Sequence, residues 1–106
     1  MPSLGRQVLL DHVDEATWQA QVRRWAERAR WYVYHTYDSR RSDSGFPDLF
    51  MVRNGRAIAA ELKTTVGRLS PAQNSWLVRL RECGIETYVW RPNMENEVKR
   101  VLGYAS

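Results

Sequence analysis

Two carboxylates and an amine lie in the short stretch GFPDLFMVRNGRAIAAELKTT, residues 45–65. Asp48 precedes one apolar run, whereas Glu61 and Lys63 end the next one. Carboxylates with room for water are the ligands that Mg²⁺ and Mn²⁺ prefer, and such an ion polarises a phosphoryl oxygen and activates a bound water. A nearby ammonium orients the nucleophile or offsets charge in the transition state. These three side chains are therefore sufficient for hydrolysis of a phosphodiester bond.

The dipeptide Asn54-Gly55 is expected to bring the two carboxylates together. It is the strongest short-range signal for a β-hairpin, because both residues tolerate the positive φ of a type I′ turn. With these two residues as the loop, the strand pairing continues outward until Asp48 faces Glu61. Like charges that are directly opposed destabilise a strand pair, so a shared proton or a cation between them would relieve the repulsion.

A purely structural role for these residues is the alternative. Asp48 would then cap a strand after Pro47, and Glu61 and Lys63 would form an exposed salt bridge. The flanking runs argue against this alternative, because they are apolar on both faces and predict central strands covered above and below. Charges at the ends of such strands lie where the effective dielectric falls and repulsion costs more.

The remaining elements follow from apolar spacing and capping residues. Asp14 is the expected N-cap of an amphipathic helix, and Ser70, Pro71 and Gln73 form a capping box at the start of another. The predicted order is α-β-β-β-α-β-α. The elements are a helix over 14–30, a strand over 31–37, hairpin strands on either side of 54–55, a helix over 70–84, a strand over 85–91 and a short helix after residue 92.

Length and composition limit the chain to one domain. At 106 residues, with 43% hydrophobic and 26% charged residues, it suits a single folded core. Residues 1–13 show no periodicity and are expected to be a loosely held arm before a domain over 14–106. Cys83 is the only cysteine, and His12 and His35 are the only histidines. A four-ligand Cys/His zinc site is therefore excluded, and oxygens must hold any metal.

The charge predicts a nucleic-acid partner. The formal net charge is +4, and 14 of the 16 basic residues are Arg, whose planar fork binds phosphate in bidentate fashion. Arginine-rich usage in a GC-rich genome is the alternative explanation. The sequence has neither a basic-then-apolar leader nor an apolar run near the roughly 18 residues of a membrane span. We expect a cytoplasmic protein with neither a membrane partner nor a nucleotide cofactor.

The residues Pro47-Asp48, followed across a short hairpin by Glu61-Leu62-Lys63, resemble the PD-(D/E)xK nuclease signature. The predicted order of elements also matches the αβββαβ core of that superfamily. Its fold is α/β and restriction-endonuclease-like, with a mixed central sheet flanked by helices. Within the superfamily the chain resembles the virus-type replication-repair nuclease family, VRR-NUC, from about residue 15 to residue 102. Small stand-alone members of this kind are typical of phages and bacteria.

This resemblance implies a metal site. Asp48 and Glu61 would be ligands of Mg²⁺ or Mn²⁺, together with the main-chain carbonyl of Leu62. Lys63 would position or activate the attacking water. Glu15 matches an acidic residue that completes the metal site in related junction-resolving enzymes. In the first turn of a helix, however, an acidic residue can simply favour the positive end of the helix dipole.

The second helix and the loop after the first strand supply further candidates. Gln73 matches a glutamine in the family's active-site helix, and the capping box is its alternative role. Donors in the loop suit phosphate oxygens, which position DNA without reading its sequence, and a solvated polar turn is the alternative. His35 is expected to be packed and satisfied rather than a general base. The candidate DNA-binding residues are Ser39, Arg40, Arg41, Ser42 and Ser44, with Arg68 as a weaker candidate.

These features predict a divalent-metal-dependent endonuclease that cuts DNA at Holliday junctions or other branched structures. The resemblance further implies a role in DNA repair and a homodimer, whose two active sites would match a two-fold substrate. A non-catalytic nucleic-acid-binding module with the same fold is the alternative from another class. A nuclease for RNA or for restriction-type targets is a third hypothesis.

Overall fold

The computed structural model describes residues 4–37 and 43–105. The predicted order of helices and strands is confirmed, with one additional helix at the N-terminus. Of the helices that the structure describes, none has the length and apolarity to cross a membrane. The helices are α1 (Leu4–Asp11), α2 (Glu15–Arg28), α3 (Pro71–Glu82) and α4 (Glu95–Leu102), a 3-10 turn covers Pro92–Met94, and the strands are β1 (Tyr32–His35), β2 (Leu49–Arg53), β3 (Arg56–Leu62) and β4 (Glu86–Trp90).

The four strands form one mixed sheet in the order β1-β2-β3-β4. β2 is antiparallel to both β1 and β3, whereas β4 is parallel to β3. Parallel neighbours need a crossover connection, and α3 supplies it between β3 and β4. The predicted α/β fold, with a mixed sheet flanked by helices, is therefore confirmed.

The hairpin between β2 and β3 has the predicted turn and register. Asn54 and Gly55 have φ values of 48° and 80°, the two positive values that a type I′ turn requires. The ladder runs outward from the pair Arg53 and Arg56 to the pair Leu49 and Ala60. The next step along each strand reaches the two acidic residues, so the hairpin brings them to the same edge of the sheet.

One face of the sheet carries the hydrophobic core. The predicted apolar stripe of α2 is buried there, with α4 packed beside it. This packing fixes the start of α2 close to the start of β2 and the end of β3. The buried core residues are Trp18, Val22, Trp25, Ala26, Trp31, Leu49, Met51, Ile58, Ala60, Leu62, Trp90, Val98 and Leu102.

The opposite face of the sheet is covered only in part. α3 packs on β3 and β4, where Ala59 is fully buried. On β1 and β2, by contrast, Tyr32, Tyr34 and Val52 are 84%, 57% and 42% exposed. The prediction that both hairpin strands are covered above and below is therefore wrong for this side of β2. An apolar pattern shows which sides could be buried, but a single helix is too narrow to cover four strands.

The N-terminal residues form a helix where the sequence predicted an irregular arm. α1 contacts the 3-10 turn, and Thr65 Oγ1 donates a hydrogen bond of 2.6 Å to Asp11 Oδ1. Eight residues span little more than two helical turns, which is too short for a clear apolar period. A helix over residues 4–11 therefore replaces the predicted lack of regular structure, and the division into an arm over residues 1–13 and a domain over 14–106 stays a prediction.

Candidate metal centre and active site

Asp48 is fixed just before β2 by two neighbouring segments. Its Oδ2 accepts a hydrogen bond of 2.8 Å from the main-chain N–H of Leu62, at the end of β3. On the other side, the N–H of Thr36 donates to the carbonyl of Asp48 at 2.9 Å, and Thr36 Oγ1 donates to the carbonyl of Pro47 at 2.7 Å. The carboxylate is thus oriented by β3, and its backbone is held by the residue that follows β1.

Glu61 is buried, which is costly for an acidic residue. Among the residues of 4–37 and 43–105 whose burial the structure describes, it is the only buried charged side chain, with 1% of its surface exposed. Its Oε1 accepts a hydrogen bond of 3.3 Å from Gln73 Nε2, whereas its Oε2 has no hydrogen-bond partner in the same ranges. A buried acceptor without a donor costs free energy. A proton or a cation beside Oε2 would remove that cost.

The protonation state of Glu61 follows from this environment. Burial, and after it the adjacent carboxylate of Asp48, raises the pKa of Glu61 to about 9, although Lys63 acts in the opposite direction. The side chain of Glu61 lies within hydrogen-bonding reach of Asp48. Two ionised carboxylates cannot hydrogen-bond to each other, so the contact between Glu61 and Asp48 is favourable only when a proton or a cation lies between them. Without metal, Glu61 therefore holds a proton at neutral pH.

α2 brings a third carboxylate to the same place. The helix begins at Glu15, and one carboxylate oxygen from each of Glu15, Asp48 and Glu61 lies within 4.8 Å of the other two. Burial and the charge of Asp48 raise the pKa of Glu15, whereas Lys63 lowers it. Three oxygen donors and an unpartnered buried oxygen fit a hard divalent cation such as Mg²⁺ or Mn²⁺. The structure thus brings together the acidic residues that the resemblance grouped, and their role as ligands stays a prediction.

Lys63 lies at the edge of this carboxylate cluster. It follows Glu61 by two residues, is half-buried, and lowers the pKa of both Glu15 and Glu61 through its charge. Its ammonium therefore offsets part of the repulsion among the carboxylates. Its role in positioning or activating the attacking water stays a prediction.

Gln73 has two sets of contacts at the start of α3. In the predicted capping box, Ser70 Oγ accepts a hydrogen bond of 3.1 Å from Gln73 N, and Gln73 Oε1 accepts one of 2.9 Å from Ser70 N. The cap uses the amide oxygen, so the amide nitrogen is left to donate to Glu61 Oε1. The capping contact and the contact with the cluster coexist in one side chain, and a role in catalysis stays a prediction.

The carbonyl of Trp90 joins the two elements that carry the cluster. It accepts a hydrogen bond of 3.0 Å from Lys63 N and another of 2.9 Å from the indole N–H of Trp18. Trp18 is 1% exposed and lies one helical turn after Glu15 in α2. A single acceptor at the end of β4 therefore ties the helix of Glu15 to the strand of Glu61.

Trp18→Phe is expected to weaken Mn²⁺ binding by roughly tenfold, because loss of the indole hydrogen bond frees the first turn of α2 and with it Glu15. Isothermal titration calorimetry measures this affinity. Trp25→Phe is the matched control, since Trp25 is buried in the same helix and packs edge-on against Trp18. The control should lose stability but keep its Mn²⁺ affinity. Equal losses of affinity in the two variants would contradict a positioning role for Trp18.

Arg91 fixes the loop that follows Lys63. Its Nη1 donates hydrogen bonds of 2.7 Å to the carbonyl of Thr64 and of 2.6 Å to the carbonyl of Gly67. A Cβ at Gly67 would lie 3.5 Å from Lys63 Cδ, so this loop packs against the aliphatic part of the lysine. Sequence analysis missed Arg91, because an arginine just after a strand carries no spacing signal for such a contact.

Arg91→Met is expected to lower kcat for phosphodiester cleavage by about tenfold, because a loosened loop lets Lys63 leave its position. Arg91→Lys should recover most of the rate, since an ammonium can donate to both carbonyls. Steady-state kinetics on a labelled DNA substrate separate kcat from KM. A rise in KM with kcat unchanged would instead place Arg91 in the contact with DNA.

His35 is packed and hydrogen-bonded. Its Nε2 lies 2.9 Å from Gln19 Oε1, and its ring packs edge-on against Tyr37 with the centroids 5.8 Å apart. This contact agrees with the expectation of a satisfied histidine. It also joins β1 to α2 four residues after Glu15, which the sequence did not reveal.

Two of the predicted DNA-binding residues lie in loops within the described ranges. Ser44 is exposed in the turn before Phe46, and Arg68 is exposed in the loop before α3. The main-chain N–H of Leu62 donates a hydrogen bond to Asp48. The role of the Leu62 carbonyl as a metal ligand stays a prediction. Contacts of all these residues with DNA also stay predictions. Four of the predicted contacts lie outside the described residues: Ser39, Arg40, Arg41 and Ser42.

Comparison with known proteins shows the family. The family model of the VRR-NUC domain matches residues 6–93. The chain belongs to the VRR-NUC domain family. A solved structure described as a VRR_NUC domain protein is 20% identical in sequence to this chain, with a TM-score of 0.69. The match covers 87% of this chain and 88% of the chain of that structure. Another solved structure, described as a VRR_NUC domain, is 21% identical, with a TM-score of 0.66. That match covers 87% of this chain and 97% of the chain of the second structure. None of the curated proteins matches the chain in sequence.

As a member of the VRR-NUC family, the chain contains a nuclease domain. The family match begins inside α1 rather than near residue 15, and it ends before α4 rather than at residue 102. The solved structures share the fold at low identity. All of the candidate site residues, Glu15 included, lie within the matched range.

Proposed function

We propose that this VRR-NUC protein is a divalent-metal-dependent endonuclease that hydrolyses phosphodiester bonds in branched DNA, Holliday junctions included. The observation that carries the proposal is Glu61 Oε2, a buried oxygen without a partner in the described ranges that belongs to the same cluster as Asp48 and Glu15. Buried polar atoms in folded proteins nearly always have a hydrogen-bond partner, so an unpartnered carboxylate oxygen favours a site for a cation. The net charge of +4 supports a nucleic-acid substrate.

Glu15, Asp48 and Glu61 would hold Mg²⁺ or Mn²⁺, with the carbonyl of Leu62 as a further ligand. When bound, the ion polarises a phosphoryl oxygen and lowers the pKa of a coordinated water. The hydrogen bond from Leu62 N orients the carboxylate of Asp48, and the end of β1 prevents its backbone from shifting. The chain therefore supplies rigid ligands, which a metal site needs for a defined geometry.

Lys63 would align the attacking water and offset negative charge on the phosphate in the transition state. Its half-buried position beside Glu15 and Glu61 supports this role. Gln73 acts as a positioning residue, because its amide donates to Glu61 while the capping box fixes the amide itself.

Ser39, Arg40, Arg41, Ser42 and Ser44 would contact the phosphate backbone, with Arg68 as a weaker contact. Replacing Arg40 and Arg41 together by Ala is expected to weaken binding to all DNA sequences alike, because phosphate contacts carry no sequence information. The slope of log affinity against log salt should also become shallower by about 2. Fluorescence anisotropy at several salt concentrations measures both effects, and a loss confined to one sequence would contradict them.

We also propose a homodimer whose two sites match the two arms of a four-way junction. Sedimentation velocity tests the mass directly. A monomer at micromolar concentration, with cleavage still linear in protein concentration, would contradict the dimer without affecting the nuclease proposal.

The deciding experiment incubates the purified protein with a four-way junction, a flapped duplex and a linear duplex, each with Mg²⁺, with Mn²⁺ and with EDTA. We expect the protein to cleave the branched substrates with Mg²⁺ or Mn²⁺, and we expect EDTA to abolish this cleavage. Binding without cutting under either metal would show a nucleic-acid-binding module instead. Matched RNA junctions provide the control for the DNA specificity of cleavage.

A further inference from the structure

A groove centred on Trp76 lies on the partly covered face of the sheet. It consists of two adjoining hollows that share this residue. One hollow, of about 290 Å³, is lined by Tyr34, Thr36, Asp43, Phe46 and Trp76. The other, of about 260 Å³, is lined by Ser44, Ala72, Ser75, Trp76 and Arg79. Both volumes lie just below the roughly 300 Å³ at which pockets for small-molecule ligands begin, so the groove suits one flat ring at a time.

Aromatic rings form the walls of the first hollow. Phe46 and Trp76 pack edge-to-face with their centroids 5.0 Å apart, and both rings are only partly buried. Tyr34 is 57% exposed on the edge strand β1. Exposed aromatic rings are stacking platforms for nucleic-acid bases, because every base has a π-face.

The polar groups divide the groove into two ends. Arg79, Ser44 and Ser75 supply a guanidinium and two hydroxyls in the second hollow. Within the described ranges, no acidic side chain forms an ion pair with Arg79. Asp43 lies in the first hollow and would repel a phosphate there. This charge distribution fits an anion beside Arg79 and an uncharged ring beside Tyr34.

The groove adjoins the carboxylate cluster through three short connections. Phe46 precedes Asp48 by two residues. Trp76 follows Gln73 by three residues in α3, so the two side chains lie on the same face of the helix. Thr36, which lines the groove, also donates hydrogen bonds to the carbonyls of Pro47 and Asp48. A ligand in the groove would therefore lie beside a phosphate held at the cluster.

We propose that the groove holds one unpaired nucleotide next to the phosphate that is cut, with its base stacked on Trp76 and Tyr34 and its own phosphate on Arg79. This inference rests on the proposed nuclease function and adds a source of substrate selectivity to it. A base inside a duplex has both faces covered by its neighbours, so only an unpaired nucleotide can stack on protein rings without a cost for unstacking. The groove thus favours flaps and open branch points over continuous duplex.

The test compares a duplex that carries a short single-stranded flap with the same duplex lacking the flap. Binding is measured by fluorescence anisotropy in EDTA, where no cutting occurs. Trp76→Ala is expected to weaken binding to the flapped DNA by about tenfold and to leave binding to the plain duplex unchanged. Trp76→Phe keeps a stacking ring and should retain most of the affinity, which separates stacking from a folding defect.

Tyr32→Ala is the matched control, because Tyr32 lies on the same strand and is 84% exposed but does not line the groove. It should bind both DNAs as the wild type does, whereas Tyr34→Ala should lose affinity for the flapped DNA only. Equal loss for both DNAs with Trp76→Ala, or no loss at all, would overturn the inference. The inference would also be overturned if sedimentation velocity showed a dimer that the Trp76→Ala substitution dissociates, since a second copy of the chain would then occupy the groove.

The two proposals fail separately. A wild-type protein that binds flapped DNA through Trp76 but cuts nothing with Mg²⁺ or Mn²⁺ would contradict the nuclease and keep the groove. A protein that cuts branched DNA with the same preference after Trp76→Ala would keep the nuclease and remove the groove from substrate recognition.

Discussion

Asp48→Asn is expected to lower metal-dependent DNA cleavage by more than about a hundredfold, because Asp48 is a proposed ligand and loss of an outer-shell partner alone costs up to about that much. The substitution removes one negative charge from the cluster that Asp48 forms with Glu15 and Glu61. It keeps an oxygen that can accept the hydrogen bond from Leu62 N. The fold should therefore survive, and the loss should appear in Mn²⁺ affinity and in kcat.

Asp48→Ala separates the two functions of this side chain. It removes both the charge and the acceptor, so the N–H of Leu62 loses its partner at the end of a buried strand. An unsatisfied buried donor costs about 1 to 3 kcal/mol of stability. We expect Asp48→Ala to melt at lower temperature than Asp48→Asn and to be equally inactive. DNA binding in EDTA should be retained by Asp48→Asn. Cleavage by Asp48→Asn at the wild-type rate would show that the carboxylate cluster is not the active site.

Local chemistry was enough to predict the hairpin and what it brings together. Asn54-Gly55 determines the turn and hence the register, and the register alone places Asp48 at the same edge of the sheet as Glu61. The capping box was equally local, because Ser70 and Gln73 need only three residues of spacing. Interactions of this kind can be predicted because both partners are close in sequence.

Contacts between distant segments could not be predicted in the same way. The hydrogen bond from Trp18 to the carbonyl of Trp90 spans 72 residues, and that from Arg91 to Thr64 spans 27. Neither has a spacing rule, since each depends on how whole elements pack. Glu15 was grouped with the hairpin carboxylates through the family resemblance, because its helix lies far from the hairpin in sequence. The exposed side of β2 was missed for a related reason: apolarity indicates a buried face but not the width of the layer above it.

Glu61→Gln is expected to make the metal-free protein more stable while abolishing cleavage. The introduced amide is uncharged at every pH, so the variant folds without taking up the proton that Glu61 must bind at pH 8. Its N–H groups can donate to the carboxylate of Asp48. The amide oxygen can still accept the hydrogen bond that Gln73 gives to Glu61 Oε1. Urea unfolding in EDTA at pH 8 should therefore require more denaturant for the variant than for the wild type. A lower midpoint for the variant would contradict the protonated state of Glu61.

The pH dependence of stability provides an independent measurement of the same group. The pKa of Glu61 is raised from its ordinary value of 4.5 to about 9 in the folded protein. Between these pH values the folded chain holds a proton that the unfolded chain has lost, so the stability of the metal-free protein falls as pH rises through this window. The slope from this group should approach about 1.4 kcal/mol per pH unit, the value for one proton, and Glu61→Gln should flatten it. Burial raises the pKa of Glu15 in the same direction, which leaves a smaller residual slope in the variant.

Divalent metal should counteract this dependence in the wild type. Ligation requires the ionised carboxylate, so Mn²⁺ competes with the proton on Glu61 and binds more tightly as pH rises. Because an ion that binds only the folded state adds to its stability, the rise in melting temperature on addition of Mn²⁺ should grow from pH 6 to pH 8. In Glu61→Gln the same addition should change the melting temperature little at any pH. A wild-type response that is equal at both pH values would mean that the metal binds without displacing the proton, and that Glu61 is not a ligand.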